Sequence, residues 1–329
     1  MENGNVNTEV GVSLDIVGIG HIINETIVSP DSKTRFVLGS PPAYSMACAA
    51  GLDARVGILT RIGTDYPETL LDPLRQCGVN LEGVVRQGAH STNNELVYAR
   101  DGSKTIRYLS RAPEVVPDDL PTSYYQAKLF YICPMDWDTS VESVERFSSL
   151  VNLTACDLGG FGGAHSPASE VSQMESDPDA VKRIIGAMHI VKASDEDCRR
   201  LTADPELDLE DFARCWIGWG AQVAVVTCGD QGSLVVTRDQ VWKIPALPGK
   251  PIDPTGGGDS YMGGFLVGYL KSGGEPSTSG WYGAATALLV IEGTGGVTPA
   301  RMPTTKQVEA RLKQGRAQLD HSAEVKDIS

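Results

Sequence analysis

Apolar residues along the chain gather into short continuous runs, separated by longer stretches of mixed, helix-period character. "LDIVGIG" (14–20) is an apolar run closed by glycine and predicts a buried first strand. "TRFVL" (34–38) predicts a short strand, and "PPAYSMACAAGL" (41–52) a helix of small residues opened by proline. "ARVGILTRIG" (54–63) predicts another buried strand, followed by a helix over "PETLLDPLRQCG" closed by Gly78. The texture then changes. "NELVYARDGSKTIRYLS" (94–110) alternates polar and apolar residues about an Asp-Gly turn, the signature of an exposed hairpin. Core-type runs return in "KLFYIC", "NLTACDL", "MHIVKA" and "QVAVVTC", most with a helical pattern between them.

Strands alternating with helices predict an α/β fold: three layers, α/β/α, around a mainly parallel sheet. The hairpin, with "NETIVSP" and "TRFVL", predicts a small second sheet lying as a lid over one edge. The chain then reads as a single unit, 1–329, with the lid formed by about 22–38 and 90–112. The core takes 12–21, 39–89 and 113–315, and 316–329 is expected as a loosely ordered tail. Ligands in such folds bind at the carboxyl ends of the strands.

Composition narrows the function more than the fold. A formal net charge of −14 repels polyanions at long range, which argues against nucleic-acid binding. A small anion held by backbone dipoles is compatible with that charge. No apolar stretch reaches the length of about 18 residues that a membrane span needs. The polar, acidic N-terminus lacks the features of a secretory signal, and its first dozen residues are expected to be frayed. Seven scattered cysteines without a C-x-x-C pair fit reduced thiols, and together these features predict a cytoplasmic protein. The five histidines show no zinc-ligand spacing.

Four stretches are glycine-rich: "GIG" (18–20), "GGFGG" (159–163), "GGGD" (256–259) and "GTGG" (293–296). None is a Walker A loop or a dinucleotide fingerprint. "GGFGG" and "GTGG" taken alone read as turns. "DPTGGGDSYMGGFLVGYLK" (253–271) differs by its context, a strand-like "VWKIPALPG" before it and a helical pattern after it. Glycines at a helix start allow close approach of a ligand, and their amides can point together at an anion. Asp259 beside them would repel that anion. It is either a helix N-cap, or a general base facing a second reactant, a hydroxyl that must lose its proton to attack a phosphate.

With these motifs in order, the sequence resembles the ribokinase-like carbohydrate kinases, also called the phosphofructokinase-B (PfkB) family. "DPTGGGD" is similar to that family's D-T-x-G-A-G-D, "VVTCGDQGSLVV" (225–236) to its V-T-x-G-x-x-G, and "VKASDEDCRRL" (191–201) stands where N-x-x-E is usual. "LGSPPAYSMACAAGLDARVGILTRIGTDYP" is similar to its N-terminal region, so the resemblance covers nearly the whole chain. It implies an ATP-dependent phosphotransferase acting on a small sugar or cyclitol, with Mg²⁺ and with K⁺ as a further expected ion. By the same resemblance Asp259 is the catalytic base, and Gly256, Gly257 and Gly258 form the anion hole. Lys192, Ser194, Thr227, Gly229 and Gly232 fall on the nucleotide side, and Gly295 near the adenine pocket. Asp197 replaces the usual glutamate as a Mg²⁺ candidate, while Asp253 and Thr255 fall where members bind a monovalent cation.

For the acceptor, the family's N-terminal aspartate falls by count on Glu25, with Asn24 taken as the substrate-facing residue. Gly39, Ser40, Asp138 and Asp259 complete the expected substrate contacts. Asp138, with Asp136 and Asp157, could equally be a loop carboxylate, and Arg107 and Arg111, on and after the lid hairpin, read either as a clamp on a phosphate or substrate or, preferably, as solvated edge charges. "LGSPPAY", lacking the amide that grips ribose hydroxyls, leans towards a cyclitol or an unusual sugar. Two alternatives stand beside this. One is a nucleoside kinase of the same fold, with Tyr44, Tyr98 and Tyr108 lining a base pocket; the other is a catalytically silent sugar-binding homologue. A homodimer joined through the edges of the lid is also expected.

Overall fold

A computed structural model describes residues 13–326 except 32, 99, 101–103, 164–165, 167–178, 203, 205 and 207. The predicted N-terminal fray, the tip of the hairpin turn and residues 327–329 lie outside the described residues. One sheet has nine strands: β1 (Ile16–Ile19), β4 (Val56–Ile62), β5 (Val84–Arg86), β8 (Leu129–Ile132), β9 (Thr154–Asp157), β10 (Ile190–Ser194), β11 (Val223–Thr227), β12 (Ser233–Val236) and β13 (Val241–Ile244). Their order is β13-β12-β11-β10-β9-β8-β1-β4-β5. All pairs from β11 to β5 are parallel, and only β12 and β13 join antiparallel. β1, β8 and β9 are buried at every residue, as strands covered on both faces must be. This is the layered α/β architecture around a mainly parallel sheet expected from the alternation.

The second sheet holds β2 (Ile23–Val28), β3 (Thr34–Gly39), β6 (Asn93–Tyr98) and β7 (Lys104–Ser110), in the order β3-β2-β6-β7. β2 alternates buried and half-buried residues, the pattern of a sheet with one face inward. All four strands fall in the segments that the polar–apolar alternation had set apart, apart from Gly39 at the end of β3.

Helices cover the large sheet: α1 (Pro41–Gly51), α2 (Asp72–Gln76), α3 (Val141–Ser148), α4 (Ala180–Gly186), α5 (Asp195–Thr202), α6 (Leu209–Trp219), α7 (Gly257–Lys271), α8 (Pro276–Ile291) and α9 (Thr305–Lys326). The single helix predicted over "PETLLDPLRQCG" is instead a 3₁₀ turn, Glu68–Leu70, and the short α2. Pro73 explains the break, since proline fits only in the first turn of a helix. At the C-terminal end α9 runs on to Lys326, through residues rich in helix formers. α1 and α7 pack closely, and Gly263 makes this feasible. A Cβ there would lie 2.5 Å from the Ser45 carbonyl oxygen. That contact sets the N-terminal end of α7 over the ends of the strands.

Candidate active site

A cleft of about 1050 Å³ opens at the carboxyl ends of β10 and β11, where Ser194 and Thr227 end their strands. The start of α7 forms one wall, with Thr255, Gly256, Gly257, Gly258 and Asp259 all lining it. Glu25 and Ile106 of the small sheet line it from the other side. Gly229 and Gly232, in the turn after β11, also line it.

The local geometry of the glycine run follows from its sequence. Gly256 is the N-cap of α7 and has φ of +76°, a left-handed conformation natural to glycine. The Ser260 amide donates to the Gly256 carbonyl at 2.8 Å, closing the first helical turn. The Gly257 amide donates to the Pro254 carbonyl at 3.1 Å, which commits it to the turn itself. The expected three-amide anion hole is therefore corrected at Gly257, whose part is to shape the loop. Gly258 lies in the first helical turn, where amides have no preceding carbonyl to meet. A Cβ on Gly258 would come within 3.2 Å of Lys192 Nζ, so the helix dipole and an ammonium group converge on one spot.

Lys192 is itself buried, 4% exposed, and its Nζ donates to Asp157 Oδ2 at 2.9 Å. Burial alone would lower its pKa, but the carboxylates of Asp157, Asp197 and Asp259 outweigh burial and raise it. The side chain stays an ammonium ion throughout the physiological range. Asp157 is held in turn by the Gly159 amide at 2.9 Å. Asp197 is buried at the start of α5, accepting from the Ser194 amide and hydroxyl, both at 2.7 Å. Ser194 and Asp197 thus form a closed local unit facing the cleft.

On the acceptor side the structure corrects several expectations. β2 directs Glu25 into the cleft, and its neighbour Asn24 falls on the opposite face of the pleat. Glu25 Oε1 accepts from Asn94 Nδ2 at 3.2 Å. Gly39 packs beneath Glu25, and the cleft is reached instead by Ser40, the N-cap of α1. Ser40 has φ of +109°, a backbone region that costs a residue with a side chain on the order of 1–3 kcal/mol. Asp138 is outside this cleft. Its Oδ2 accepts from the His21 and Met135 amides at 2.8 and 3.1 Å, holding the chain where it leaves β1 and β8. It lines a separate cavity of about 80 Å³ with His21, Tyr108 and Arg111. Arg111 pairs with Asp136 rather than with an approaching ligand.

Gly295 is also away from the cleft. It belongs to a junction behind the glycine run, where the Asp253 carboxylate accepts from the Thr255 amide at 3.1 Å and the Gly295 amide at 3.3 Å. Burial would raise the Asp253 pKa, but these hydrogen bonds and the nearby Arg301 charge bring it below its ordinary value. Arg301 Nη2 donates to the carbonyls of Asp253 and Thr255 at 3.2 and 3.0 Å. A further wall is supplied by α8: Ala284, Ala287, Leu288 and Ile291 all line the cleft. Their spacing of three, four and seven residues is one helical face. Sequence reasoning missed this stripe because it looks the same as ordinary core packing. Among the described residues, no group of three or more His, Cys, Asp and Glu side chains could hold a metal. No helix among them is long and apolar enough to cross a membrane.

The fold and cleft define a small-molecule kinase, and comparison with known proteins specifies the family. The sequence pattern of the pfkB family carbohydrate kinases matches residues 14–304. Over 262 residues the chain is 31% identical to the cytidine kinase of Thermococcus kodakarensis, covering 78% of this chain and 89% of that one. It is 24% identical over 313 residues to the nucleoside kinase of Methanothermobacter thermautotrophicus, covering 91% and 95%. The solved ribokinase of Arabidopsis thaliana, complexed with ribose and ATP, matches with a TM-score of 0.74 at 19% identity, covering 92% and 99%. The chain belongs to the pfkB family of carbohydrate kinases. It is an ATP-dependent kinase of a small sugar or nucleoside.

Proposed function

We propose that the acceptor is a nucleoside, phosphorylated on a ribose hydroxyl with Asp259 as general base. One observation carries the assignment of roles. Asp259 lies in the first turn of α7 beside Gly258 and Lys192, in a cleft whose facing wall carries Glu25. The amides of Gly256 and Gly258, with Lys192, take the terminal phosphoryl group of ATP, and the α8 stripe packs against adenine. Thr227, Gly229 and Gly232 lie along the phosphates and ribose. Glu25 accepts from acceptor hydroxyls, and Ile106 and Met135 offer an apolar surface to a base. The match to a cytidine kinase supports a nucleoside over a cyclitol. Tyr44 lines the cleft where it packs under the glycine loop, and the Tyr108 hydroxyl donates to the Met135 carbonyl. The side chain of Tyr98 lies outside the described residues.

In the reaction, Asp259 removes the proton as the acceptor oxygen bonds to the terminal phosphorus in line with the breaking bond to ADP. Positioning and charge neutralisation supply most of the acceleration. Mg²⁺ binds through one or two carboxylates together with substrate phosphates and water, and Asp197 in this cleft fits that mode. When bound, it would neutralise phosphate charge. The two sheets closing on each other would exclude water from the transfer. The outer face of the small sheet leaves Phe36 and Leu109 exposed, 71% and 54%, and we assign it to contact with a second copy of the chain. An ADP-release assay over cytidine, inosine, ribose, fructose and myo-inositol tests the acceptor. Turnover highest on a free sugar or cyclitol would sink the nucleoside assignment.

A further inference from the structure

The loop that carries the glycine run is anchored by one buried side chain, Arg301, 7% exposed. A guanidinium has five N–H donors. Nε donates to the Val290 carbonyl at 3.0 Å. Nη1 donates to the Tyr44 hydroxyl at 3.0 Å and to the Gly295 carbonyl. Nη2 donates to the carbonyls of Asp253 and Thr255. All five donors are used, and four of their acceptors are backbone carbonyls, two in the 253–255 loop, one in the last turn of α8 and one in the loop after it.

Two of these carbonyls are those of Asp253 and Thr255, the residues at which a K⁺ site was expected. The residues do not fit that ion. A monovalent cation would need the same oxygens that Arg301 already holds, and would meet a fixed positive charge at their centre. The Asp253 carboxylate is also engaged, by the Thr255 and Gly295 amides and by Arg35 at 3.4 Å. We propose that Arg301 is a built-in cation, which joins the 253–255 loop to the end of α8 and the loop that follows it, and makes this kinase independent of K⁺. Arg301 is a positioning residue. It reaches the reaction through Thr255 and through Tyr44, which packs against Gly256, and these contacts set where the α7 amides point. The functional consequence rests on the kinase reading of the cleft, but the site itself does not.

Thermal melting of the full chain in potassium chloride against tetramethylammonium chloride, at matched ionic strength, tests this without any acceptor. The wild-type midpoint is expected to be the same in both salts, since an ion that does not bind cannot stabilise. A K⁺-specific rise would overturn the proposal. Arg301→Ala exposes the four carbonyls, and its midpoint is expected to rise in K⁺; a folded variant indifferent to the salt would also overturn it. Should that variant not fold in either salt, the wild-type comparison decides. Once an acceptor is found, wild-type turnover should change by less than about twofold with K⁺, below the 5- to 150-fold of ordinary coupling between sites. Absence of turnover on every acceptor would count against the kinase reading and leave the melting result standing.

Discussion

Gly256 rests on the ring of Tyr44 so closely that a Cβ at residue 256 would lie 2.5 Å from Tyr44 Cε1. The contact joins α1 to the start of α7, and the left-handed φ of Gly256 leaves no other residue an easy substitute. Tyr44 cannot swing away, because its hydroxyl meets Arg301 and the Gly295 carbonyl. Gly256→Ala is therefore expected to destabilise the protein by about 1–3 kcal/mol. It should also lose most activity, since the same displacement moves the α7 amides proposed to hold the phosphate. Chemical denaturation together with steady-state turnover checks both effects. A variant with unchanged stability and turnover would show that the loop tolerates the shift.

Asp259→Asn keeps the size of the side chain and removes its basicity. Turnover should fall roughly 10²- to 10⁴-fold, the usual contribution of a general base, with KM for ATP little changed. The split matters. A loss seen only in KM would make Asp259 a binding residue, and near-normal turnover would remove it from the chemistry.

The fold was largely legible because its strands are buried on both faces, and such strands read as continuous apolar runs. The small sheet was legible for the opposite reason, through alternation. The local geometry of the cleft was legible where backbone chemistry demands a particular residue, as at the left-handed N-cap Gly256. It was not legible where a side chain's direction decides its role. Asn24 and Glu25 are neighbours, and only the register of β2, with Glu25 opposite Val37 and Asn24 opposite Leu38, separates the inward residue from the outward one. Nor could sequence spacing show that Arg301 reaches Asp253, 48 positions away, or that Asp157 pairs with Lys192. Such long-range pairs depend on the order of the strands.

Asp253 gives a pH signature. Its folded-state pKa lies below the ordinary value of about 3.9, so the native state binds fewer protons than the unfolded chain. The stability it contributes is fully present above the unfolded value and is lost as pH falls through the lower folded one. The stability gap between wild type and Asp253→Asn should thus be constant from neutral pH to about pH 5 and narrow below about pH 4. Urea midpoints measured across that range check it. A gap that widens on acidification would contradict the sign.

The assigned contact between copies rests on the outer face of the small sheet. Thr26 pairs with Phe36 and Val28 with Val97, which places Phe36 and Val97 on the same face of that sheet. Phe36→Lys should shift the chain towards monomer in light scattering while leaving the monomer folded. A wild-type chain that is monomeric at high concentration would remove the contact.

Lys192 and Asp157 bury an ion pair whose side chains are only 5% and 3% exposed. Removing one partner of such a pair costs about 3–5 kcal/mol, because the other charge is left uncompensated in the interior. Lys192→Met should therefore be strongly destabilising, with Asp157 left beside Asp197 and Asp259 and no neutralising ammonium. Asp157→Asn should cost less, since Lys192 keeps the two other carboxylates that raise its pKa. In the double variant the charges leave together, and stability should recover towards wild type. Activity should not recover, because the ammonium beside Gly258 is gone. A double-mutant cycle on denaturation midpoints and on turnover separates these two outcomes. If the double variant regained turnover along with stability, Lys192 would be a purely structural partner of Asp157, and the phosphate would have to be held by the α7 amides without it.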